Sequence, residues 1–122
     1  MKRAAMLSVL AAAGLLLSAC AEDLALSHTE TPCINAGQTA TVTVTTAPGA
    51  SMDWKVQDDF GGDISPPIAS TTADSGGKSS VTWQSPKSLT TTTLHFIVDA
   101  KSGNKRAHRD IHVVVGGNGR SC

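Results

Sequence analysis

The chain has 122 residues, with 10 Lys and Arg against 10 Asp and Glu and only 3% aromatic residues. That length accommodates one small domain. Balanced charge excludes a nucleic-acid binder driven by phosphate neutralisation, and three cysteines without a Cys-x-x-Cys pair exclude the usual zinc ribbon or thioredoxin-type site.

Met1-Lys2-Arg3 is a short basic segment, and Ala4 to Leu16 is an apolar run broken only by Ser8 and Gly14. A mature spanning helix needs roughly 20 apolar residues, so this run has the size of a signal-peptide core instead. It ends in Leu17-Ser18-Ala19-Cys20, which resembles the lipobox of bacterial lipoproteins. The resemblance implies cleavage before Cys20 and acylation, such as palmitate, on the new terminus. It also implies that Ala21, where Asp would signal retention, directs the protein to the outer membrane. An ordinary secretory signal ending at Ala19-Cys20 is the alternative. Loss of Lys2 and Arg3 with the leader leaves 8 basic against 10 acidic residues, a net −2. The expected division is a signal peptide over 1–19, a lipidated Cys and tether over 20–35, and a folded domain over 36–122.

Ala21 to Pro32 has no sustained period, although Leu24 and Leu26 could start a weak edge strand. From Gln38 the period is two. Thr39, Thr41, Thr43 and Thr45 alternate with Ala40, Val42 and Val44, as in a half-buried strand. Ala47-Pro48-Gly49-Ala50 is a turn. Met52, Trp54 and Val56 form the inner face of a second strand, which Asp58 to Gly62 ends. Pro66-Pro67 forbids a central strand there, and Ile68 to Thr72 reads as a short edge strand. After the Asp74 to Gly77 turn, Val81 and Trp83 alternate with polar neighbours. Leu94, Phe96 and Val98 form one arm of a hairpin and Ile111, Val113 and Val115 the other, joined by a loop over Lys101 to Lys105. Five clear strands, one weak one and no helical stretch predict an all-β antiparallel sandwich of about six to seven strands. Thr and Val dominate because β-branched side chains suit a pleated surface.

The segment Asp74-Ser75-Gly76-Gly77-Lys78-Ser79-Ser80-Val81-Thr82-Trp83 resembles a turn-and-strand of bacterial Ig-like domains. Thr93 to Ala100 and Asp110 to Val115 resemble their closing hairpin, and Trp54 occupies the place of their core Trp. The likeness spans roughly 36–115 and implies the fold, not a function. There is no Tyr for a tyrosine corner, and no Cys lies in the strands that immunoglobulins bridge.

With Cys20 acylated, Cys33 and Cys122 remain as a pair in an oxidising compartment. Six alternating strands between them bring both to one end of a sandwich, so a disulfide is expected; a free Cys122 used between molecules is the alternative. A loop of this size contributes about 4–5 kcal/mol in the chain-entropy treatment.

Register follows from parity in the closing hairpin. Both arms face inward at positions of opposite parity, so paired residue numbers must sum to an odd value, about 205 or 207. His95 then faces Asp110 or His112 on the outer face, and Asp99 neighbours His108. No metal is expected, and His95, His112 and Asp110 are the residues from which a Zn²⁺ or Cu²⁺ site would be built. Asp58-Asp59-Phe60-Gly61-Gly62-Asp63 is an acidic glycine-rich loop. Asp58, Asp59 and Asp63 could hold Ca²⁺, but Asp and Gly also suit any turn. Phe60 reads either as a partner anchor or as a core plug. No nucleophile elbow or phosphate-binding glycine loop is present, so no catalytic residue is assigned and no enzyme activity or cofactor is expected.

The functional expectation is a lipid-anchored cell-envelope binding or structural module. It would meet the membrane through its lipid and another envelope protein or a cell-wall component through Asp58–Pro67, Lys101–Arg106 or a sheet edge. Alternatives are an accessory lipoprotein of an envelope complex, such as a secretion apparatus or phage-exclusion factor, a periplasmic inhibitor of a lytic enzyme, and a metal-handling protein.

Overall fold

The structure is a computed structural model that describes residues 24–116 and 122. The leader, Cys20 and the glycine-rich stretch over 117–121 lie outside the described residues. Eight strands run in chain order: β1 Ser27–Glu30, β2 Cys33–Asn35, β3 Thr39–Thr45, β4 Ser51–Gln57, β5 Thr71–Thr72, β6 Lys78–Gln84, β7 Thr93–Ser102 and β8 Lys105–Gly116. They form a three-stranded sheet, β1-β3-β6, against a five-stranded sheet, β2-β8-β7-β4-β5. The fold is an all-β sandwich, as the alternation predicts. Among the described residues no helix is long and apolar enough to cross a membrane.

Period-two patterning translates directly into packing. Ala40, Val42 and Val44 of β3 point inward, as do Met52, Trp54 and Val56 of β4, while the residues between them are at least partly solvated. Leu94, Phe96 and Val98 of β7 meet Val113, Ile111 and their neighbours on β8 in the same layer. Trp83 of β6 joins the two sheets edge-to-face with Phe96, ring centroids 5.8 Å apart at 85°, a geometry worth about 0.5–1.5 kcal/mol beyond area burial. Both indoles are satisfied: Trp54 donates to Thr71 Oγ1 at 2.9 Å and Trp83 to the Pro66 carbonyl at 2.7 Å. The Pro66-Pro67 segment, denied a strand of its own, stays exposed and contributes the Pro66 carbonyl that satisfies the Trp83 indole. The turn before β6 requires glycine at Gly77. Its φ is +80°, and a Cβ there would stand 2.1 Å from the Thr46 carbonyl oxygen.

Residues 24–35 differ from the expected tether. Leu24 and Leu26 are buried, β1 pairs antiparallel with β3, and β2 runs parallel to the end of β8. The chain crosses from one sheet to the other at Thr31-Pro32, where Thr31 N–H donates to Thr41 and the Pro32 carbonyl accepts from Val114. Two strands this short carry too few residues to display a period. Their burial comes from tertiary contact: Ile34 fills the core beside β8 and is almost fully buried. The folded unit therefore starts by Leu24, and one pair of its strands is parallel. The expected edge strand over 68–72 shrinks to Thr71–Thr72, which pairs with Ser51 and Met52 while Ile68 packs against the core. The sulfurs of Cys33 and Cys122 stand 1.97 Å apart across 89 residues, at disulfide distance.

Candidate functional site

The hairpin of β7 and β8 has the register in which paired numbers sum to 207: Leu94 faces Val113, His95 faces His112, Ile97 faces Asp110 and Asp99 faces His108. Leu94, Phe96, Val98 and Ala100 of β7 and Ala107, Ile111, Val113 and Val115 of β8 are taken up by the core, so the histidines and aspartates between them have no choice but the outer face. The His95 and His112 rings meet edge-on, centroids 4.5 Å apart. Asp110 lies two residues before His112 on the same face. Its Oδ1 is 3.0 Å from His95 Nδ1 and 3.4 Å from His112 Nε2. Nearer the hairpin tip, His108 Nδ1 bonds Asp99 Oδ1 at 2.6 Å. The three hairpin histidines thus fall into a triad, His95, Asp110 and His112, and a separate pair, His108 and Asp99.

The acidic loop stands beside the triad. Its three carboxylates do not converge on a common point. Asp58 Oδ1 accepts from the N–H groups of Phe60 and Gly62 at 2.8 and 2.9 Å, and Asp63 Oδ1 accepts from Gln57 Nε2 at 3.0 Å. Asp59 turns the other way. One of its oxygens accepts from the Thr91 hydroxyl, the Thr92 hydroxyl and the Thr92 N–H at 2.8, 2.8 and 3.0 Å. The Thr92 contacts, then Thr91, hold its carboxyl below the usual carboxylate range. Its other oxygen is 3.9 Å from His95 Nε2. A recess of about 200 Å³ lies between this loop and the hairpin face, lined among others by Asp59, His95 and Asp110. The calcium arrangement is thus replaced by three structural carboxylates, because one oxygen of each is held by a partner in its own loop or the neighbouring one.

Phe60 is 96% exposed. Its loop is nevertheless pinned: Asp58 N–H donates to the Gly62 carbonyl at 2.9 Å, Gln57 bridges to Asp63, and Gly61 takes φ +80° to complete the turn. Of the two readings of Phe60, the core plug is excluded, because the ring stands almost wholly in solvent.

The sequence reading missed Asp59 as a neighbour of His95. The contact joins a loop to the sheet across 36 residues, and no local spacing reports it. The one sequence signal was the run of four threonines from Thr90 to Thr93, a row of hydroxyls with no acidic or amide side chain among them.

No protein-family model and no curated protein matches the chain. Among solved structures it is similar to the sulfur carrier protein SoxY from Chlorobium limicola f thiosulfatophilum, with 21% identity, 75% of each chain covered and a TM-score of 0.54. It is also similar to the PKD domain of an M14-like peptidase from Thermoplasmatales archaeon SCGC AB-540-F20, with 19% identity, 78% of this chain and 98% of that chain covered and a TM-score of 0.48. The first likeness is one of fold, and it agrees with the immunoglobulin-like sandwich.

Proposed function

We propose that the protein is a non-catalytic binding module of the cell envelope, anchored by lipid at Cys20, that recognises another envelope protein through the Asp58–Pro67 loop. The observation that carries this reading is the exposed ring of Phe60 on a pinned loop. Interface energy concentrates in a few anchors, aromatic ones prominent among them. An anchor whose backbone is already fixed loses little freedom on binding. The loop rises from the end of the sandwich opposite the Ser102–Lys105 hairpin tip, since β4 ends at Gln57 where β7 begins.

The N-terminal segment supports the same orientation. Leu24 and Leu26 dock at the hairpin-tip end, where the Leu24 N–H reaches the Arg106 carbonyl at 3.4 Å. Four chain steps separate Cys20 from Leu24, at most about 14 Å when extended. A lipid on Cys20 therefore holds the hairpin tip, with Lys101 and Lys105, against the headgroups and turns Phe60 away from the bilayer. Two or three acyl chains make such an anchor stable, at about 0.8 kcal/mol per buried CH₂.

The test is co-purification of the full-length protein from its own membranes, wild type against Phe60→Ala. The reading expects a stoichiometric envelope protein that Phe60→Ala loses while the melting temperature stays the same. Retention of that partner by Phe60→Ala, or recovery of lipid and peptidoglycan alone from the wild type, overturns it.

A further inference from the structure

The triad on the hairpin face has the geometry of a metal site. Zinc binds imidazole nitrogen and carboxylate oxygen at about 2.0–2.2 Å, so the donors of a tetrahedral site stand about 3.3 Å apart. Asp110 Oδ1 already lies 3.0 Å from His95 Nδ1 and 3.4 Å from His112 Nε2. One ligand atom from each of the three residues falls within 4.8 Å of the others. Closing the triangle on an ion takes side-chain rotation only, because the cross-strand pairing of His95 with His112 fixes the backbone beneath both rings.

The surroundings fit as well. A histidine that binds metal through one ring nitrogen donates its other N–H, often to a carboxylate, and that partner fixes tautomer and orientation. Asp59 supplies this carboxylate at 3.9 Å from His95 Nε2, and a shift of about 1 Å makes the contact a hydrogen bond. Asp59 is itself held in place by Thr91 and Thr92. The neighbouring recess leaves room for water on the remaining coordination positions.

We propose that His95 Nδ1, His112 Nε2 and an Asp110 carboxylate oxygen bind one borderline divalent transition-metal ion, Zn²⁺ or Cu²⁺, with Asp59 as the positioning residue behind His95. Two imidazoles and one carboxylate suit these ions and not Ca²⁺ or Mg²⁺, which prefer all-oxygen shells. With identical donors Cu²⁺ binds more tightly than Zn²⁺. His108 and Asp99 lie outside the site.

Calorimetric titration of the purified full-length protein with ZnCl₂ and then, on a fresh sample, CuCl₂ tests the assignment. It expects one ion per chain, Cu²⁺ the tighter. His112→Ala, whose side chain is 58% exposed and thus removable without disturbing the core, lowers Zn²⁺ affinity at least about tenfold. His108→Ala leaves it unchanged. In the Cu²⁺ form, electron paramagnetic resonance counts two coordinated nitrogens, and one in His112→Ala. Asp59→Asn weakens Zn²⁺ roughly 10- to 100-fold yet keeps both nitrogens. Absence of any Zn²⁺ or Cu²⁺ binding tighter than about 1 mM overturns the proposal. So does an affinity or nitrogen count that His112→Ala leaves unchanged, or a loss with His108→Ala as large as with His112→Ala.

Discussion

On the outer face of the three-stranded sheet, Thr39 meets Gln84 at 2.7 Å and Thr43 meets Ser80 at 3.0 Å. On the outer face of the five-stranded sheet, His95 meets His112 and Asp110, and Asp99 meets His108. Both rows arise from the same alternation over the same core. The hydroxyl and amide groups satisfy one another in neutral pairs. The imidazoles and carboxylates retain lone pairs after pairing, and those lone pairs can hold a cation. Strand propensity thus selects which positions face outward, while side-chain chemistry decides whether the face does more than pair its own strands.

The largest effect tests what the faces share. Phe96→Ala empties the site where Trp83 packs on β7 and should cost about 3–5 kcal/mol, read as a lower midpoint in urea denaturation. A loss below about 1 kcal/mol would mean that the sheets do not depend on this contact.

Transplanting the histidine pair asks what the five-stranded face adds. Thr43→His with Ser80→His puts two imidazoles across a directly paired position of the other sheet. Among the described residues no carboxylate corresponding to Asp110 or Asp59 pairs with that position, so Zn²⁺ affinity gained at that face should remain at least about tenfold below that of His95 and His112. Equal affinity would show that any exposed histidine pair suffices and that the carboxylates are incidental.

Acid sharpens the contrast further. The lowered folded-state value of Asp59 means that its ionised form is favoured by folding. Its stabilising contribution is therefore present above the unfolded value of 3.8 and lost as pH falls through the folded value below it. The stability gap between wild type and Asp59→Asn, measured by urea denaturation, should be open at neutral pH and narrow as pH falls below 3.8. A gap that stays constant would place the effect in the loop's shape and not in its charge. The smallest change is expected for Thr43→Ala, about 0.2–1 kcal/mol for one cross-strand hydroxyl pair, again by urea denaturation.

Much of this arrangement is legible in the chain. The strands from Thr39 onward announce themselves because one face of each is buried, and burial enforces the alternation. Parity alone restricted the hairpin to two registers, one of which pairs His95 with His112. The segment around Leu24, Leu26 and Ile34 was legible only as a weak edge strand starting at Leu24 and Leu26, because three- and four-residue strands are too short to show a period and their partners lie far along the chain. Asp59 was hidden for a related reason. Its neighbours, Thr91, Thr92 and His95, come together only when the loop after β4 folds against the start of β7. The exposure of Phe60 likewise depends on how its loop folds, which no local spacing reports.

Photocrosslinking compares the Phe60 loop with the hydroxyl face in one measurement. A photoreactive residue is placed at position 60 or at position 80 of the full-length protein, and each is irradiated in its own membranes. The account predicts a discrete protein adduct from position 60 and none from position 80, the exposed hydroxyl face. The same adduct from both positions, an adduct from position 80 alone, or none from either would contradict it.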